Sequence, residues 1–445
     1  MTAYWTHVWN RLIAAGAALL LSASAAAQSP VDPGLATFIA GIKAVDNHTH
    51  VNSTAPNDAD SDALPLDGLP PVGFPARLRA ENPEWIAGYK ALYDYPYDDL
   101  SVAHLAELHT TMKRAREQQG DAFPQWVLDK IGTEVMVANR IAMGPGLAPP
   151  RFRWASYVDA LMLPLSTKAE RAGNDDYAVL YPLEERLLHR YLADLQIAAL
   201  PRTLDAYVTE VVTPTLERQR QGGCIAVKFE AAYLRKLDFD DPDEAAARSV
   251  YAKYVAGGEP SRTEYKNLED FLFRRIAREA GRLGMAVHIH AFEGFGGSYE
   301  ISGSDPLLLE SALADPSLRK TNFVVIHGGG MFAAHAGALL ARTNVYADFS
   351  GLPQFYSAAM LSGILRQWLT QYPEKVLFGT DAFANGPDLG WEMSAWLASS
   401  TARRALAMAL TGMMDDGEIT RTRAQEIATM VLRTNAAKLY ELPLQ

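Results

Sequence analysis

Two histidines one residue apart, His48 and His50 in DNHTH (46–50), are the first residues in this chain whose spacing suits chemistry. They close a β-branched run, IKAVDNH (42–48). Side chains two apart on an extended backbone point to one face. Two imidazoles so placed can reach one borderline divalent metal at about 2.0–2.1 Å. The motif is short, and a pair of surface or core histidines reads the same way. Its weight depends on what gathers at equivalent places. MAVHIH (285–290) ends at His290, FVVIH (323–327) at His327 and KVLFGTD (375–381) at Asp381. Six of the ten histidines lie in or near these segments: His48, His50, His288, His290, His327 and His335. Cys224 is the only cysteine, which excludes an intramolecular disulfide and a multi-cysteine metal site. Ligands for a metal must then be His, Asp, Glu or a modified Lys.

Such residues need a scaffold that brings several strand ends together. Eight apolar or β-branched runs are candidates: 42–48, 134–139, 154–163, 224–230, 285–290, 323–327, 345–350 and 375–381. Between them come helix-like segments. LEDFLFRRIAREAGRLG (268–284) repeats its apolar residues at helical spacing and stops at Gly284, and DPLLLESALADP (305–316) behaves similarly. Strands alternating with helices indicate a parallel sheet under helices. No G-x-G-x-x-G turn follows the first strand, as an open dinucleotide-binding sheet would have. The expected fold is α/β, a TIM-like (β/α)8 barrel whose C-terminal rim carries the site. Residues 51–133 exceed what one connection needs, and an aromatic, helical insertion at about 60–132 is expected to cap that face. LEERLLHRYLADLQ (183–196) belongs to a second helical excursion.

The start of the chain reads as an export signal. Arg11 precedes the apolar LIAAGAALLLSASAAAQ, and Ala25 and Ala27 form an A-x-A site before Gln28. The apolar stretch is shorter than the roughly 20 residues of a spanning helix. Residues 1–27 are thus expected to be removed, leaving 28–445 as one barrel domain in the periplasm or outside the cell, with no membrane attachment afterwards. The net charge of −11 argues against nucleic acid or an anionic membrane as partner. A small-molecule substrate fits better, and homo-oligomer formation stays open.

With these motifs in view, residues 41–445 resemble the amidohydrolase superfamily, and more narrowly its amidohydrolase-related (amidohydrolase 2) branch. VKFEAAYLRKLDF (227–239), VVIHGGGMFAAHAGALLARTNVYADFSG (324–351) and KVLFGTDA (375–382) are similar to the versions fused to glutamine synthetase-like domains. The resemblance implies His48, His50, His290 and Asp381 as metal ligands, with Asp381 also moving a proton. His327 would be a second-metal ligand or a group polarising the substrate. The implied activity is metal-dependent hydrolysis of an amide, lactone or ester bond, because a divalent metal lowers the pKa of bound water to about 7. Zinc is the first candidate, followed by manganese, iron or nickel. A metal-dependent decarboxylase on the same site is the alternative.

Lys228, in VKFE, carries the remaining choice. In binuclear members a lysine here bridges two metals as a carbamate; otherwise it pairs with Glu230 or grips a substrate carboxylate. His288, one pleat below His290, reads as a buried, hydrogen-bonded residue. His104, His109, His189 and His335 read as packing or surface residues, and Asp348 as a loop hydrogen-bonder. The glycine-rich loop 293–305 and GGG (328–330) suit a loop over the site or a tight turn. Arg140 and Arg153 are candidates for holding an anionic substrate.

Overall fold

The computed structural model describes residues 31–66, 75–384 and 389–444; the expected export signal lies outside them. Eight parallel strands follow one another in chain order: β1 Ala44–Thr49, β2 Thr133–Arg140, β3 Phe152–Tyr157, β4 Cys224–Phe229, β5 Ala286–His290, β6 Phe323–Ile326, β7 Val345–Asp348 and β8 Val376–Leu377. Every candidate run contains one of them in whole or in part. β8 is two residues long because the chain beyond it pairs differently. Phe378 O accepts from Asn47 N at 2.9 Å, Asp381 N donates to His48 O at 2.8 Å, and His50 N donates to Ala382 O at 2.7 Å. These bonds join β1 to the segment after β8 and bring the sheet round into a TIM barrel.

The run at 154–163 is half strand. β3 stops at Tyr157, and Asp159–Met162 forms a helical turn instead. The helix expected over 268–284 spans Arg262–Arg282, starting well before its apolar repeat. Ser261 accepts from Glu264 N while the Glu264 side chain returns to the Ser261 backbone, a capping box that starts the helix there.

Between β1 and β2 lie helices Glu84–Tyr93, Val102–Gln119 and Phe123–Ile131. Their buried aromatic and aliphatic faces pack with Val51, Ala382 and the helix Trp391–Asp415, beside the β1/β8 seam. Glu392, fully buried at the start of that last helix, accepts from Tyr93 and Arg116 at 2.7 and 2.6 Å. The floor of the barrel is apolar: Val45, Val135, Ala226, Ala286, Val324 and Leu377 meet Ala436 and Tyr440 from the C-terminal segment. Among the described residues no helix is long and apolar enough to cross a membrane.

Candidate metal centre

β1 positions its residues through an irregularity. The register with β2 slips between Asp46 and Thr49, and such a bulge re-aims side chains. Asn47 turns down, donating to Asp348 Oδ2 at 2.8 Å and accepting from Tyr440. His48 and His50 turn towards Asp381 instead. Their Nε2 atoms lie 3.3 and 3.4 Å from the same oxygen, Asp381 Oδ1. One ligating atom from each of the three residues falls within 4.8 Å of the others. Asp381 has a φ of 55° and is held by main-chain bonds: its N–H goes to His48 O, and its own carbonyl accepts from Gln354 Nε2 at 2.7 Å.

The outer nitrogens of both imidazoles are engaged. The Asn139 amide meets His48 Nδ1 at 2.7 Å. Asp62 Oδ2 and the Tyr157 hydroxyl lie 2.8 and 3.1 Å from His50 Nδ1. Such partners orient a ligating histidine. His290 is buried beneath Tyr233, ring centroids 4.3 Å apart, and its Nε2 has no hydrogen-bond partner. A buried nitrogen without a partner is costly, and a bound metal ion is one way to satisfy it. His327 completes the ring of imidazoles, 5.0 Å from His48 and 4.7 Å from His290 between centroids.

Burial would raise the Asp381 carboxyl, but His327, His48 and His50 together hold it well below the usual carboxylate range. His48 and His290 are pushed well below the ordinary histidine value, first by burial and then by a neighbouring titratable group, Lys228 for His48 and His327 for His290. Burial likewise brings His327 down to about 4. For His50 burial opposes protonation, yet Asp62 and Asp381 outweigh it and lift the group to about 10. The site therefore offers an ionised carboxylate beside three imidazoles, His48, His290 and His327, that favour the neutral, metal-binding form, while His50 would have to give up its proton to bind an ion. This donor set, with the unpaired His290 nitrogen, fits a divalent ion of borderline character.

Lys228 is fully buried in register with His288, its Nζ 3.4 Å from His48 Nε2 and 3.9 Å from Glu230 Oε1. Glu230 also forms a second three-residue group with His50 and Asp62. His288 lies beneath the site: its Nε2 meets the Tyr440 hydroxyl at 2.6 Å, and burial brings it down to about 3. His335 pairs with Asp305 at 2.9 Å, and His104 stacks on Tyr97 at 3.4 Å beside Asp99. His189 lines a separate surface cavity of about 440 Å³ with Leu188 and Leu192.

Arg140 is not available to a substrate. It holds Asp58 through both Nη atoms and bonds Val51 O and Ala142 O. Arg153 is the second residue of β3, opposite Val137 and at the end of the strand away from the C-terminal rim. The loop after β5 is tied down: Phe295 N donates to Tyr177, and Gly297 and Ser298 donate to Asp176. GGG (328–330) is a tight turn, since a Cβ at Gly328 would meet Trp368 at 2.2 Å with φ at 54°. Asn139, Tyr157, Asp62 and Ser350 also serve the site, and the motifs do not single them out. Asn139 and Tyr157 end or nearly end strands, so their rim positions are legible; Asp62 arrives from a loop with no pattern to mark it.

Residues 168–442 match the family model described as Amidohydrolase, and the chain belongs to that amidohydrolase family. It is similar to protein fluG of Emericella nidulans, 26% identical over 231 residues, which is 49% of this chain and 26% of that protein. The chain thus matches about a quarter of that relative's length. Among solved structures it resembles glucuronate isomerase from Caulobacter crescentus at a TM-score of 0.60, covering 96% of this chain and 98% of that one. A putative metal-dependent hydrolase from Lactobacillus casei aligns at 0.55, covering 93% and 98%. Uronate isomerase from Thermotoga maritima aligns at 0.53, covering 92% and 98%. All three share 14% identity, so they speak for the fold.

Proposed function

We propose that this chain is a metal-dependent hydrolase of small molecules, cleaving an amide, lactone or ester bond. One observation carries the reading: His48 Nε2 and His50 Nε2 converge on one oxygen of an ionised Asp381, beside the unpaired Nε2 of His290. His48, His50, His290 and Asp381 would hold the ion, with zinc the first candidate. A divalent ion there supplies Lewis acidity, polarising a carbonyl and acidifying water. The remaining work falls to the chain's own residues. Asp381 is held in place by Gln354 and the β1 backbone, and its carboxylate can take a proton from water and return it to a leaving group. Tyr233, Phe292 and the cap beside the seam limit water access around the imidazoles.

Lys228 is read as the partner of Glu230 rather than as a bridging carbamate, and the site as holding one ion. The lyase reading, which a lysine or arginine gripping a carboxylate would favour, loses Arg140 because that side chain is committed to Asp58, and keeps only Lys228 as a grip at the site. Export and removal of residues 1–27 complete the proposal; sequencing the mature N-terminus from an exporting host should give Gln28. The direct test strips the purified protein with chelator, restores zinc or manganese, and counts ions while screening amides, lactones and esters. One ion per chain with metal-restored hydrolysis supports the reading. Release of carbon dioxide from a carboxylated substrate, without any hydrolysis product, would replace it.

A further inference from the structure

The segment after β7, Asp348–Phe349–Ser350–Gly351, is built around His327 more closely than a connecting loop requires. Asp348 is fully buried at the end of β7. One of its oxygens, Oδ1, accepts from Ser350 N at 2.8 Å, from His327 N at 3.3 Å and from the Ser350 hydroxyl. Its other oxygen accepts from Asn47 at 2.8 Å. These bonds fix both ends of the turn and commit the Ser350 hydroxyl proton to Asp348. Burial raises Asp348 to about 6, with the bonds from Ser350 and Asn47 opposing the rise.

Two Ser350 oxygens then face His327 Nδ1. The Ser350 carbonyl oxygen lies 3.1 Å away, and Ser350 Oγ also lies 3.1 Å away. A carbonyl can only accept, and the hydroxyl already directs its one hydrogen to Asp348. The proton between them must therefore belong to Nδ1. In a neutral imidazole that leaves Nε2 bare. Gly351 makes this approach feasible. Its φ is 74°, and a Cβ there would stand 3.0 Å from His327 Nδ1 and 3.2 Å from Asp381 Oδ2.

We propose that Asp348 and Ser350 are positioning residues that lock His327 as its Nδ1–H tautomer, with Nδ1 also 3.8 Å from Asp381 Oδ2, which leaves the lone pair on Nε2. The inference rests on the metal-centre reading above and narrows the part His327 plays in it. His327 can bind a Lewis acid or accept a proton at Nε2, and it does not donate a hydrogen bond to a substrate oxygen while neutral. Neither Asp348 nor Ser350 touches the reacting atoms; both act through His327.

Histidine-selective ¹⁵N NMR of the full mature chain, zinc-free and zinc-loaded, tests this without a substrate. His327→Gln assigns the His327 signals. In the wild type, His327 should show a protonated Nδ1 and an unprotonated Nε2. Ser350→Ala should convert that single tautomer to a mixture, and Ser350→Thr, which keeps the hydroxyl, should restore it. Asp348→Asn should loosen it further; circular dichroism reports whether this variant folds, and the two Ser350 variants decide the matter if it does not. A wild-type Nε2–H signal, or an unchanged tautomer in Ser350→Ala, overturns the proposal. Zinc content is read on the same samples. Failure of the wild type to bind zinc would sink the metal-centre reading, whereas bound zinc with an unlocked wild-type tautomer sinks this inference alone.

Discussion

The two walls of the centre are built on opposite principles. At the β1/β8 seam the side chains are held by directed hydrogen bonds: Asp46 accepts from Thr380 N and Oγ1 at 2.9 and 2.6 Å, Asn139 meets His48, and Gln354 donates to two carbonyls. At the β4 wall, buried carboxyls crowd together with too few hydrogen bonds. Asp159, Glu184 and Glu230 are all buried, each with at least one oxygen lacking a hydrogen bond, and Lys228 is the buried cation among them. Burial pushes Glu184 and Glu230 well above the ordinary carboxyl range and Asp159 to about 7. The contrast separates geometry from charge. The seam uses hydrogen bonds to hold ligands in one orientation, while the β4 wall stores electrostatic strain next to them. Substitutions at the seam should therefore cost function first, and substitutions at the wall should change stability first.

The largest effect is expected at the seam's own ligands. His48→Ala or Asp381→Ala should lower zinc content from one per chain towards none, and any metal-restored hydrolysis by at least about 10³-fold, a cost on the scale of losing a transition-state contact. Unchanged metal content in both variants would remove the seam's claim to be the centre. Gly351→Ala comes next. The new Cβ enters between His327 and Asp381 at a φ that L-residues avoid. It should cost about 1–3 kcal/mol in stability and weaken zinc binding, read by thermal melts and zinc titration. Asn139→Ala should leave the fold intact and weaken zinc affinity by about 10–100-fold, the usual loss when a ligand's supporting partner is removed. Full affinity in that variant would show that His48 needs no help from β2.

The barrel and its rim are legible in the sequence because both rest on local pattern. Strands of a buried parallel sheet are apolar runs, and His290, His327 and Asp381 end or closely follow such runs. What escapes a reading of the sequence is whatever depends on breaking the pattern. The β1 irregularity, which sends Asn47 to the floor and His48 to the centre, leaves no mark in a period-two repeat. Asp381 lies beyond the end of β8, in a left-handed conformation that a run ending in Thr-Asp does not announce. Lys228 is legible as inward-facing and as a partner for Glu230, but not as a neighbour of the same His48 nitrogen that faces Asp381. Arg140 reads as free only because its partner, Asp58, is 82 residues away in the chain.

The smallest effect, and the one that sharpens the contrast most, is expected at Glu184. Its oxygens make no hydrogen bond of good geometry, and after burial the neighbouring Asp159, Glu230 and Asp62 raise its pKa further, against a weak opposing effect of the Ala160 backbone. In the unfolded chain the group titrates near 4.5. A carboxyl whose folded value is raised stabilises the fold fully below the unfolded value, and that contribution fades as pH climbs from there towards the folded value. Glu184→Gln imitates the protonated acid at every pH. It should match the wild type near pH ~4 and exceed it increasingly above pH ~5, by a few degrees in melting temperature at about pH 8. Zinc content should stay at one per chain, since Glu184 lies outside both candidate ligand groups. A variant no more stable than the wild type at either pH would mean that a cation, supplied by Lys228 or from solution, already balances this wall. A variant that lost zinc would mean that the two walls are not separable after all.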